Sequence, residues 1–230
     1  MKTKLPPLLS SSNAKLEKGE RAGWLTLGLS LAPHNLSGVN FCPHASKGCA
    51  AACLYTAGHG QFDQVKNARL ARSMRFIKDR PAFLDQLKSE IRKGEKTAAK
   101  KGMKLAIRLN VMSDLPWYNL IDMGEFSNVQ FYDYTPNPKR ALEFAAGELP
   151  ANYHLTFSRK EDNQEACELV AASGVNIAVV FDKLPESYLG RPVVDGDLSD
   201  LRFLDPAGVI VGLKAKGDGK KDASGFVIRS

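Results

Sequence analysis

Cys42, Cys49 and Cys53 follow one another at the spacing Cys-x6-Cys-x3-Cys, inside a stretch, NFCPHASKGCAAACLYTAGHG at 40–60, that also holds His44 and His59. Pro43 and Gly48 lie within the loop, so the chain is able to fold back and point three thiols at one centre. A lone cysteine reads as a small buried hydrophobe. Three of them separated by Pro, His, Ser, Lys and Gly are poor core, because burying that segment strands its backbone polar groups. A disulfide leaves one thiol of the cluster over, and without a leader segment an oxidising compartment is not expected. The pattern therefore predicts a metal or iron–sulfur site.

Soft thiolates select zinc or iron–sulfur clusters. Structural zinc takes four protein ligands; His44 would supply the fourth as Cys-x-His-x4-Cys-x3-Cys, or Cys167 would from a distance. A four-iron cluster that keeps one iron open for a small molecule needs only three, although electron-carrying clusters use four. Cys167 falls in EACELVAASG, an amphipathic helical stretch, and reads as a helix-face core residue. Three ligands and an open site, a [4Fe-4S] cluster with zinc as the alternative, are the expectation.

The run CPHASKGCAAACLYTAGHG followed by VKNARLARS resembles the bacteriophage and prophage family of gene product eighty-eight, with its Cys-Pro-x-Ala-Ser-x-Gly-Cys-x3-Cys core. RLNVMSDLPW and FYDYTPNPKR extend the likeness, more weakly, to roughly two thirds of the chain. The resemblance implies a phage-borne protein holding an iron–sulfur cluster. At one remove the loop is similar to radical S-adenosylmethionine enzymes, although its spacing departs from their Cys-x3-Cys-x2-Cys. That likeness implies S-adenosylmethionine on the open iron, a reductant as partner, and Tyr55 near the adenine.

The elements that must position the loop come next. Trp24 to Leu31, WLTLGLSL, alternates apolar with small or polar residues and predicts a strand leading into the loop. Helical patterns follow over Gln61 to Lys78 and, with Pro81 in the first turn, from Ala82 to about Lys101. Beyond Gly102, β-like runs at 105–109, 129–132, 154–157, 177–181 and 209–213 alternate with helical segments at 115–126, 139–146 and 162–173. Such alternation argues an α/β fold with a mostly parallel sheet. With Trp24 to Leu31, six strands predict a partial or distorted (β/α) barrel, with an open doubly wound sheet as the alternative. Residues 1–20 read as an N-terminal arm and 21–230 as one domain; Pro185 to Pro206 reads as a long loop and not a barrel strand.

Parallel α/β folds carry their chemistry at the carboxyl ends of the strands. Those ends hold Asn110, Ser113, Asp114, Asp133, Tyr134, Thr135, Ser158, Arg159, Asp182, Lys183 and Lys214. Several are equally natural helix N-caps. Tyr55, Asn110, Ser113, Asp114, Asp133 and Ser158 are the candidate cofactor-binding residues. GVIVGLKAKGDGKK near the end lacks a phosphate-loop pattern and is weak as a nucleotide motif.

Net charge is +7, from 32 basic and 25 acidic residues, which favours polyanionic partners without defining a site. Lys66, Arg69, Arg72 and Arg75 step around one side of the first long helix, as a solvated face or as an anion-facing stripe for nucleic acid. No apolar run reaches membrane-span length, so no membrane partner is expected and the cytoplasm, the host's for a phage protein, is the expected compartment. Two functions compete: a radical S-adenosylmethionine-like enzyme acting on a nucleotide or nucleic acid, and a non-catalytic, zinc- or cluster-stapled nucleic-acid binder.

Overall fold

The structure, a computed structural model, describes residues 5–11 and 18–229. In chain order it runs β1 (Leu9–Ser10), β2 (Trp24–Leu29), α1 (Lys47–Ala51), α2 (Asp63–Lys78), α3 (Arg80–Lys100) and β3 (Lys104–Arg108). It continues through β4 (Val129–Thr135), α4 (Pro138–Ala145), β5 (Tyr153–Ser158), α5 (Gln164–Ala172) and β6 (Ile177–Phe181). β7 (Ser187–Tyr188), β8 (Arg191–Asp195), β9 (Ile210–Lys214) and β10 (Val227–Ile228) complete it. Asp79 and Asn137 cap α3 and α4 by accepting from main-chain N–H groups, and each of these helices has proline in its first turn.

All ten strands form one sheet, ordered β1-β2-β3-β4-β5-β6-β9-β8-β7, with β10 against β6. Only β1 against β2 and β7 against β8 are antiparallel. The sheet stays open, with β1 and β7 at its two ends, so the expected barrel does not close. The open sheet of the alternative is found but not its winding: β2 to β6 lie in consecutive order, whereas a doubly wound sheet reverses its order at a central switch point. One edge of β6 pairs with β9 throughout, Ile177 to Phe181 against Ile210 to Lys214. Its other edge is shared, Ile177 and Ala178 facing β5 and Val180 and Phe181 facing β10. β5 thus ends at Ser158, opposite Ala178, and β10 near the end of the chain takes over that edge of β6 beyond it.

Period-two alternation sorts the strand residues onto two faces. Leu25, Leu105, Ile107, Val129, Phe131 and Leu155 pack with Phe76 of α2 and Phe83, Leu87 and Ile91 of α3. Farther along, Phe157, Ile177 and Val179 pack with Ala141 of α4 and Cys167 and Val170 of α5. Gly94 of α3 admits the close approach, since a Cβ there would lie 3.0 Å from Leu27 and 3.1 Å from Leu105. The other face, with Ala106 and Tyr132, is covered by the chain's own segment around Leu201 and Phe203.

Several expectations need correction. Leu8 and Leu9 of the supposed arm are buried and β1 pairs with β2; residues 12–17 of that arm lie outside the described residues. The helix expected over 115–126 is two short 3-10 turns, Trp117–Asn119 and Met123–Phe126. Pro116 precedes the first, and the Asp122 side chain captures the Gly124 N–H at 2.8 Å in place of a continuing helix. The supposed loop 185–206 contains β7 and β8, joined by Leu189 and Gly190 with φ of 51° and 71°. Two such residues make the tight hairpin turn whose twist suits the flanking strands.

Candidate metal centre

The loop between β2 and α2 is stitched to the carboxyl edge of the sheet at Cys42 and at the turn that carries Cys49. Its path turns back at His34, in the left-handed region at φ 51°, whose carbonyl accepts from Phe41 N at 3.2 Å. Phe41 is buried, and its own carbonyl accepts from Asp114 N at 2.8 Å in the loop after β3. Cys42 follows: its N–H donates to Asn40 Oδ1 at 2.8 Å and its thiol to Met112 O at 3.5 Å.

Cys49 sits in α1, and a carboxylate from across the molecule fixes that turn. Ser46 caps it, accepting from Cys49 N at 3.1 Å and donating to Glu161 Oε2 at 2.6 Å. The other oxygen, Glu161 Oε1, accepts from Gly48 N at 2.7 Å. Gly48 is required there, since a Cβ would stand 2.8 Å from the Glu161 carboxylate and closer still to Ser224 Oγ. Ser224 belongs to the C-terminal tail, which Arg159 holds by donating to the carbonyls of Gly225 and, at 3.0 Å, Phe226. Cys53 then leads into the 3-10 turn Leu54–Thr56, its carbonyl accepting from Thr56 Oγ1 at 3.0 Å.

All three thiols are free and partly buried. Burial, then the neighbouring Cys53 and Asp114 charges, pushes Cys42 up to about 11 against the pull of a backbone hydrogen bond from His34. Cys49 is pushed up to about 12 by burial and then by Cys53, Cys42 and Glu161. Burial also raises Cys53, opposed by backbone hydrogen bonds and by Arg69. The three therefore share one neighbourhood and sense one another's charge. Among the described residues, no three His, Cys, Asp or Glu side chains close to the arrangement that would hold a single metal ion. Cys167 is in the core beside Val170, donating toward Asn163 Oδ1 at 3.5 Å, as its helix-face pattern implied. His44 is exposed and meets Asn137 Nδ2 through Nε2 at 3.1 Å.

The strand-end residues form the floor under Cys42. Asn110 Oδ1 accepts from Ser113 Oγ at 2.8 Å, Leu115 N at 2.9 Å and Trp117 Nε1 at 3.0 Å. Its amide donates to Leu115 O at 2.9 Å and Asp133 Oδ2 at 3.0 Å, and its N–H to Asp133 Oδ1 at 2.7 Å. Tyr153 OH also donates to Asp133, at 3.1 Å. Burial nonetheless raises Asp133 to about 7. Arg140 joins this group to Asp114 through a 2.5 Å ion pair. Asn110, Ser113 and Asp133, expected to bind cofactor, are thus engaged with one another. Asp114 differs, because its buried Oδ2 has no partner. Ser158 is half-buried at the end of β5, and Tyr55 lines a small pocket of ≈ 250 Å³ with Leu36, Lys66 and Arg69.

The chain matches the family described as Gene product 88 over residues 7–230. It belongs to the Gene product 88 family. This is the phage family that the cysteine segment resembles, and the match runs well beyond the motifs that carried the likeness. No curated protein and no solved structure matches the chain.

In this Gene product 88 protein the basic stripe on α2 turns much of its donor capacity inward. Arg69 donates to Gly60 O at 3.3 Å, Arg72 to Pro7 O at 3.3 Å and Ser30 O at 3.4 Å, and Arg75 to Pro6 O at 3.3 Å. Lys66 lies 3.8 Å from Asp63. These side chains anchor the chain before β1 and the start of the cysteine loop. Beside the loop, an open cleft of ≈ 740 Å³ is bounded by Pro43, His44, Pro136, Pro138, Lys160 and Glu161. Glu161 and Arg140 are the residues that sequence reading missed. Glu161 lies just beyond the end of β5, on the rim where strand-end polar groups gather, and that position was its one available signal. No helix among the described residues is long and apolar enough to cross a membrane.

Proposed function

We propose that this Gene product 88 protein is an iron–sulfur protein in which Cys42, Cys49 and Cys53 hold a four-iron cluster with one iron open. We read it as a radical S-adenosylmethionine-like enzyme acting on a nucleotide or nucleic acid. The supporting observation is the gathering of three free thiols at the carboxyl edge of a parallel sheet, where such folds carry their chemistry. Three soft donors without a fourth thiol beside them suit a cluster with an open position better than closed zinc, which takes four protein ligands. When bound, such a cluster supplies one electron to the molecule on its open iron, the chemistry that the likeness to radical S-adenosylmethionine enzymes implies.

The chain's own residues have defined parts in this reading. Glu161 and Ser46 hold the turn that carries Cys49, while Asn40 and Met112 hold Cys42. Asp114 Oδ2, buried and without a partner among the described residues, leaves one carboxylate acceptor unused in the floor beneath the loop. The cleft beside His44 and Lys160 falls in the range of small-molecule sites and has room for a nucleoside-sized substrate.

The test is protein purified without oxygen, assayed for iron, acid-labile sulfide and visible absorption. A brown protein with iron and sulfide is expected, and its reduced paramagnetic resonance spectrum should change on adding S-adenosylmethionine, with slow release of 5′-deoxyadenosine. Colourless protein carrying one zinc would overturn the cluster and favour a zinc-stapled nucleic-acid binder. A full cluster whose spectrum ignores S-adenosylmethionine, with no cleavage, would overturn the radical reaction alone.

A further inference from the structure

The face of the sheet opposite the helices holds a group of buried polar side chains that the cysteine site does not use. Arg108, Tyr132, Tyr134 and Thr156 project there from β3, β4 and β5, and the segment between β8 and β9 lies across them. From that segment Asp200 reaches down. Its carboxylate accepts from Arg108 Nη1 at 3.3 Å and from Tyr132 OH at 3.1 Å. Leu201 is buried beside it, and Phe203 packs edge-on against Trp24 at 4.8 Å and Tyr132 at 5.6 Å.

One carboxylate leaves much of this donor set idle. Arg108 Nε, Tyr134 OH and Thr156 Oγ1 are buried without a hydrogen-bond partner among the described residues, although Arg108 is stacked over the Tyr134 ring at 4.5 Å. Thr156 has no exposed surface. Buried polar groups are paired in the great majority of cases, so several orphans on one face call for a cause. The segment is tied at both ends, Asp197 accepting from Lys214 N at 3.2 Å and Lys216 Nζ at 2.7 Å and Pro206 O from Asn176 Nδ2 at 2.9 Å, with Asp200, Leu201 and Arg202 buried between these points. Arg202, also on it, donates to its own neighbour Ser199 O at 2.6 Å and faces Asp205 at 3.3 Å, while Leu198 and Leu204 are exposed. If the segment lifts, Asp200, Arg202 and Asp205 leave together. The sheet is then left with one arginine and three hydroxyls facing the opening.

We infer that this face is an oxyanion site for the phosphate or carboxylate group of a small molecule, and that Asp200 occupies it in the closed state as an internal stand-in. A phosphate offers more acceptor positions than the single carboxylate does, and guanidinium with hydroxyl donors is a natural set for either group. The inference is independent of the cysteine reading, because none of these residues belongs to that loop.

Trp24 reports on the segment through its contact with Phe203, while Trp117 is buried on the helix side as a constant background. The full-length protein should be titrated with inorganic phosphate and with acetate, against chloride at matched ionic strength, following tryptophan emission. A saturable change with phosphate or acetate, absent with chloride, is expected; whichever anion saturates first identifies the group. Asp200→Asn keeps the shape but removes the competing charge, and should tighten binding about tenfold, whereas Arg108→Gln should abolish it. Hydrogen exchange of the 197–205 amides in the unaltered chain, faster with anion than without, gives the same test should either variant fail to fold. Cys42→Ala should respond as the unaltered protein does, which separates this site from the metal centre. Emission and exchange indifferent to both anions, or a folded Asp200→Asn that binds no tighter, would overturn the site and leave ordered water as the partner of the orphaned groups.

Discussion

Gly48→Ala sets two effects against each other at the turn that carries Cys49. Helix propensity alone favours alanine by ~1 kcal/mol inside a helix. The structure opposes it, because the new Cβ would meet the Glu161 carboxylate at 2.8 Å and press on Ser224 Oγ. Both are the ends of flexible side chains, yet each is pinned: Glu161 by Ser46 Oγ at 2.6 Å, Ser224 by Asp222 Oδ1 at 2.7 Å. Displacing Glu161 also weakens a charge-assisted bond to Gly48 N, about 1.5–3 kcal/mol, and overpacking adds about 1–3 kcal/mol. The net expectation is a loss of about 1.5–5 kcal/mol, which for a chain of this size lowers Tm by roughly 3–20 °C. Thermal unfolding by circular dichroism measures the first number, and iron per chain measures whether Cys49 still holds its place. Adding Ser224→Gly should return part of the loss, since it removes the nearer of the two obstructions. An alanine variant as stable as the unaltered protein, with full metal content, would refute the clamp.

Replacing Cys42, Cys49 and Cys53 by alanine one at a time should abolish metal retention three times over, because a site short of one thiolate binds far more weakly, while Cys167→Ala keeps its metal by the same assay. Arg140→Met should destabilise by about 3–5 kcal/mol in denaturant titration, since it strands the buried Asp114 carboxylate, and adding Asp114→Leu should recover much of that. Neutralising Arg72 and Arg75 should quicken hydrogen exchange at Leu8, Leu9 and Ser10 and leave the salt dependence of any nucleic-acid binding unchanged; a slope flatter by about 0.7–0.9 per residue would return them to phosphate contact. Asp133 has a folded pKa of about 7, above its ordinary 3.8, so its protonated form favours the fold. That contribution, of order a few kcal/mol, is full below pH ~4 and lost as pH rises toward 7. Asp133→Asn should flatten the fall of stability over that interval, whatever its offset, and an unchanged slope would assign it to another group.

Sequence reading found what local pattern encodes. IAVVF and GVIVGL are apolar runs bounded by turn residues, so both were legible as central strands; the three thiols were legible as a group because they fall within twelve residues of one polar loop. What it missed is held by distant partners. Strands of two residues, such as Ser187–Tyr188 and Val227–Ile228, have no period to read. The turn at Leu189 puts a leucine at positive φ, where pattern expects glycine or asparagine. Basic residues on α2 were visible as charge, but only packing showed that Arg72 and Arg75 reach back to carbonyls of Pro6 and Pro7. Likewise Asn110 and Asp133 sat where a cofactor group was expected, and their mutual bonds emerge only when β3 and β4 lie side by side.

The strand that continues the edge of β6 beyond the end of β5 gives the cysteine site a history. Residues 222–229 carry Ser224, which abuts Gly48, and the carbonyls that Arg159 grips, and they leave the ribosome long after Cys53. At about 5–20 residues per second, the interval is on the order of ten seconds. During that time the thiols are made but their surroundings are unfinished, with β6 half-paired and the Glu161 rim lacking its outer neighbour. On the reading proposed above, a chain that has not yet reached residue 222 is therefore a poor recipient for a cluster. Truncation before residue 222 would leave most of the sheet able to form around a cysteine loop that lacks Ser224 and the carbonyls held by Arg159.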